Sequence, residues 1–76
     1  MTEQVERFYC TRNRSGFSRA LESATIRATE NGFGFLVIAD DDRACGVIRE
    51  FDNVPDGWKI MGRVNASGEY TGAATN

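Results

Sequence analysis

Residues 33–39, Phe-Gly-Phe-Leu-Val-Ile-Ala, constrain the chain most. The run is apolar along its whole length and too short for a core helix, so it fits a central strand with both faces in contact with other residues. Asp40, Asp41, Asp42 and Arg43 then interrupt it, and Ala44–Phe51 returns as a second apolar stretch. This is a hairpin, and hairpin register decides which side chains share a face. With a four-residue loop at 40–43, Ala39 faces Ala44. Phe33, Phe35, Val37 and Ile48 are then expected on one side, and Leu36, Ile38, Cys45, Val47 and Phe51 on the other.

Around this hairpin the remaining elements can be read in order. Residues 5–12, rich in aromatic and β-favouring types, are expected to form a first strand. Asn13–Gly16 breaks that pattern, and Ser18 is a candidate N-cap for a helix running to Asn31, with Gly32 as its left-handed stop. On a helical wheel Phe17, Ala20, Leu21, Ala24 and Ala28 form one stripe, opposite Arg19, Glu22, Ser23 and Glu30. Ile26 alone among the apolar residues points into the polar side. Asp52–Gly57 is a turn, since Pro55 fixes φ and Gly57 tolerates positive φ. Trp58–Val64 alternates as a half-buried strand with Trp58, Ile60 and Val64 on one side, and Glu69–Gly72 is expected to add a short edge strand.

The expected fold is therefore α+β, a single helix packed on a three- to five-stranded antiparallel or mixed sheet, in the order strand, helix, then three or four strands. It occupies residues 1–71 as one domain, with 72–76 as a flexible C-terminal tail. A 76-residue chain buries only about 60% of the surface its unfolded form exposes, so every apolar contact counts. No run is long enough to span a membrane and no secretory leader is evident, which gives a cytoplasmic expectation. Cys10 and Cys45 are too few for a disulfide scaffold and are expected to be reduced and buried.

Chemistry is sparse. The chain has no His, so the usual general base and the commonest transition-metal ligand are missing, and neither cysteine has an imidazole to activate it. Three consecutive carboxylates at Asp40–Asp42 cannot all turn toward one ion. No catalytic residue, metal ligand, cofactor or small-molecule substrate is expected, and the chain reads as a non-enzyme.

Two binding readings remain. One helix shelters one sheet face, whereas the hairpin offers apolar residues on both, so the second face implies a contact with another protein or with a second copy as a homodimer. Candidate contact residues are Ile26, Leu36, Ile38, Val47 and Trp58. Small free-standing domains of this kind often serve phages or other mobile elements as stoichiometric inhibitors of a host system, and adaptor or regulator roles fit equally. The alternative is a small RNA- or DNA-binding regulator. Arg7, Arg12, Arg14 and Arg19 interleave with Phe8, Tyr9 and Phe17, and such a mixture can meet phosphates and stack on bases. A net charge of −2 weighs against that alternative.

Overall fold

A computed structural model describes residues 5–41 and 44–72. One helix, α1 (Gly16–Asn31), is followed by four strands: β1 (Phe35–Asp40), β2 (Cys45–Arg49), β3 (Trp58–Val64) and β4 (Tyr70–Gly72). The strands form one antiparallel sheet in the order β2-β1-β3-β4. The α+β class and the helix-on-sheet arrangement agree with the sequence reading. Gly72 ends β4, while residues 73–76 of the expected tail and Asp42 and Arg43 of the hairpin tip lie outside the described residues.

The helix forms where its apolar stripe has a sheet to cover. Ala20, Ala24 and Ala28 are fully buried, and Phe17 and Leu21 pack beside them against Phe35, Val37, Val47 and Val64. Methyl-sized side chains let the helix axis lie close to the strands, so the strands supply the bulk. Gly32 ends the helix at φ 78°, its N–H donating to the Ala28 carbonyl, the left-handed stop that glycine takes without a Cβ clash. The N-cap is Ser15 rather than Ser18: the Ser15 hydroxyl accepts the Ser18 N–H at 3.0 Å. Both serines can cap. Ser15 wins because the helix starts at Gly16, one turn earlier than the wheel requires.

The expected first strand does not form. Residues 5–10 run as an arm along the outer side of β2 and meet it at one point, where Phe8 and Cys45 exchange N–H···O bonds of 2.7 and 2.9 Å. The arm's side chains alternate between the two sides of the sheet. Val5 and Trp58 close over Gly46, where a Cβ would come within 2.5 Å of Val5 Cγ1. Arg7 lies 5.4 Å above the Trp58 ring and pairs with Asp40. On the helix side, Phe8 packs against the core and Glu6 reaches Arg27.

The hairpin register is one residue away from expectation, and that step exchanges the faces of β2. Ala39 faces Cys45, Val37 faces Val47 and Leu36 faces Ile48. The cause is Asp40, which belongs to the strand rather than the loop. Its N–H donates to the Ala44 carbonyl at 3.0 Å and its Oδ1 accepts the Ala44 N–H at 2.9 Å, so side chain and backbone together close the hairpin one position later. Cys45 and Val47 therefore face the helix, and Ile48 lies with Leu36 and Ile38 on the opposite face.

A bulge in β3 makes a second departure. Val37 faces Gly62, but Ile38 faces Ile60, so an extra residue is accommodated around Met61. Val64 consequently sits at the helix-side core, fully buried, whereas Trp58 and Ile60 lie on the other face. The strict alternation expected for Trp58, Ile60 and Val64 is broken at that point.

Candidate functional site

The second sheet face is less bare than the sequence implies. Ile38 is fully buried and Ile48 is 8% exposed, and the chain itself provides the cover. Val5, Trp58 and Arg7 close one end, and Arg63 pairs with Glu50 at 2.7 Å beside Gly34 at the other. Long charged side chains shelter apolar surface with their stems in this way. Ile38 thus offers no surface to a partner. Val47, expected on that face, is packed under α1. Leu36 and Trp58 are half-buried, the latter beneath Arg7. Of the five candidate contact residues only Ile26, 49% exposed on α1, stands plainly in solvent.

The four arginines of the nucleic-acid reading do not form one track. Arg7 belongs to the Asp40–Trp58 cluster on the second face. Arg14 pairs with Glu22 at 3.2 Å and donates to Ser18. Arg19 donates to the Tyr9 carbonyl and lies over the Phe8 ring. Arg12 is exposed, on the turn that Thr11 and Arg14 close. Arg14 and Arg19 do share a groove of about 540 Å³ with Ile26, between α1 and the arm. Glu22 and Glu30 line the same groove and offset the positive charge.

A different concavity has the stronger binding character. At the open end of β2 a notch of about 370 Å³ lies between the C-terminal half of α1 and the sheet. Its apolar floor is Phe35 and Val47, each less than one-tenth exposed, with Phe33 at its side, and at the strand edge it reaches Val5 and Ile48 of the opposite face. Phe33 stacks on Phe35 with ring centroids 5.3 Å apart and touches Phe51 at 5.1 Å. Phe51 is 65% exposed, the most exposed large apolar side chain among the described residues. Arg27, Asn31, Arg49 and Asp52 form the polar rim, where Arg49 holds Asp52 through two bonds of 3.0 Å and Arg27 holds Glu6.

Sequence reasoning missed this site because it placed Phe33 and Phe35 only by hairpin register, together with Val37 and Ile48 on one side. The signal lay in the Phe-x-Phe pair at the start of β1 and in Phe51 at the end of β2, which antiparallel pairing must bring to the same end of the sheet.

Cys45 is buried and its pKa is raised, first by burial and then by the neighbouring Cys10 and Asp40. Cys10, expected to be buried, is exposed instead, its Sγ accepting the Gly16 N–H at 3.4 Å. Among the described residues no cluster of Cys, Asp and Glu could hold a metal ion, and no helix is long and apolar enough to cross a membrane. No protein-family model, curated protein or solved structure significantly matches the chain.

Proposed function

We propose that this chain is a non-enzymatic protein-binding module that acts stoichiometrically, as an inhibitor, adaptor or regulator, and that its contact surface is the notch between α1 and β2. The observation that carries this reading is an open apolar hollow with a charged rim whose Phe33–Phe35 stack is extended at its border by the exposed Phe51 ring. Aromatic residues at the centre of a patch with polar residues around it are the composition by which interface cores differ from ordinary surface. A chain without His, with its one buried thiol held in the neutral form, also fits recognition better than acid–base or nucleophilic chemistry.

A photo-crosslinking residue placed at Phe51 tests the reading, with the same residue at Ile60 as a control on the other sheet face. A discrete adduct from position 51, absent from position 60 and abolished by Phe33→Ser in a chain that still folds, is the expected result. Equal labelling from both positions, or none from position 51, overturns it. An adduct of the chain with itself identifies a second copy as the partner.

A further inference from the structure

The two edges of the sheet are finished differently. Along β2 runs the chain's own arm, with Phe8 bonded to Cys45 and Val5 closed over Gly46. Along β4 runs no segment among the described residues, and Tyr70, Thr71 and Gly72 are all exposed. We infer that a second copy of this chain covers that edge. Two β4 strands pair antiparallel about a two-fold axis at Thr71, and the two sheets join into one.

The ladder shows which groups are available. Asn65 donates its N–H to the Glu69 carbonyl at 2.9 Å, which makes these two a hydrogen-bonded pair. Bonded and non-bonded pairs alternate along an antiparallel ladder, so Arg63 and Thr71 are bonded to each other, whereas Val64 with Tyr70 and Gly62 with Gly72 are not. Tyr70 and Gly72 therefore turn their N–H and C=O away from β3. No group among the described residues bonds to them there. Edge strands usually guard themselves with a charge, a proline or a bulge. Tyr-Thr-Gly has none of these, and only its shortness limits it.

The strand is its own complement. About an axis at Thr71, each Tyr70 falls opposite the other copy's Gly72, and every outward N–H of one strand meets an outward C=O of the other. On the helix side this sets a ring beside bare backbone. Tyr70 already lies over Gly62 of its own chain, with its hydroxyl donating to the Met61 carbonyl at 3.1 Å and its ring edge-on to Phe17. A Cβ at Gly72 would meet nothing nearer than 3.9 Å. The strand thus carries both an uncovered glycine and the aromatic residue that shelters one across a strand pair. On the other face, shared with Arg63, the two Thr71 side chains meet at the closest spacing of the ladder, a favourable pairing for threonine. No like charges meet at the axis. A strand of unrelated sequence can bond the same backbone groups, but a match on both faces needs a glycine opposite Tyr70 and a small neutral residue opposite Thr71, and this chain supplies both.

The dimer leaves the notch untouched. β2 is the far edge of each sheet, so the joined sheet carries one notch at either end and presents two contact surfaces. The pairing of β4 stands or falls separately from the use of that notch.

Sedimentation velocity on the full chain, at concentrations up to about 1 mM, is expected to show reversible dimerisation. Gly72→Pro removes an outward N–H from each copy without breaking a bond to β3, and the dimer dissociation constant should rise about tenfold. In a Cys10→Ser background, Thr71→Cys places two thiols across the axis, where Cα atoms about 4.5 Å apart suit a disulfide. Under oxidised glutathione this variant should link into a dimer about tenfold or more faster than Ser67→Cys, which lies on the turn before β4. A chain that stays monomeric at every concentration overturns the inference, and so does a dimer in which position 71 links no faster than position 67. If Gly72→Pro does not fold, the two cysteine variants decide alone.

Discussion

The two faces of the sheet solve one problem in different ways. On the helix side, three fully buried alanines meet Phe35, Val37, Val47 and Val64, and the cover is a regular element with apolar residues at helical spacing. On the other side, Ile38 and Ile48 are covered piecemeal by an indole, an arginine laid on that indole, the first described residue of the arm and an Arg–Glu pair. A helix shelters a sheet face wholesale. Where a small domain has only one helix, amphipathic side chains can close the second face if they are long enough to carry their charges back to water.

If the second face is a true core, Ile38→Ala should be the most damaging of the changes considered. Removal of a buried aliphatic costs about 2–5 kcal/mol, which in a domain this small would show as a large fall in the urea midpoint. A loss no bigger than that of Ile60→Ala, at a 47% exposed position, would mean that the piecemeal cover does not exclude water. On the helix face, Ala24→Leu forces bulk into a close contact and should cost about 1–3 kcal/mol. A neutral outcome in the same titration would show that the helix does not rest as near the strands as the buried alanines imply.

The seam between arm and second face should give a smaller effect. A double-mutant cycle of Arg7→Ala with Trp58→Leu is expected to return a coupling of about 0.5–1 kcal/mol, the range for a partly exposed cation over a ring. Zero coupling would reduce Arg7 to a bystander. The smallest effect is pH-dependent. Burial raises the Cys45 pKa, so the folded chain keeps a proton that the unfolded chain gives up. Stability is then fully present below the ordinary thiol range and declines as pH rises through that range toward the folded value. Urea melts in mildly and strongly alkaline buffer should show this decline in the wild type and a weaker one in Cys45→Ala.

Legibility in the sequence followed the range of the interactions. The alanine stripe, the Gly32 stop and the span of β3 depend on spacing and on residue type within a few positions, and each was readable. The register of β2 depended on whether Asp40 ends a strand or begins a loop. Its carboxylate bonds locally to the Ala44 N–H, but it also pairs with Arg7, thirty-three residues earlier in the chain. The arm was misread for a related reason. Its residues suit a strand and alternate as one, Val5 and Arg7 on one face and Phe8 on the other, yet the arm meets β2 at a single bridge, which nothing in its local residue pattern marks.

For the candidate site the division is sharper. Ile26 was recognisable because an isolated aliphatic on a polar helical face stands out within one helix. The notch was not, since Arg27, Phe33, Val47 and Asp52 come from four separate stretches.

The sequence by itself determined the α+β class, the one helix with its buried face, and the absence of imidazole chemistry, because composition and short-range periodicity specify these. Only the tertiary structure decided which residues of β2 and β3 face the helix, what closes the second face, and where an apolar hollow remains open. A strand has a side-chain period of two, so one residue of slip or one bulge reverses its faces, and the forces that set that choice act between residues far apart in the chain.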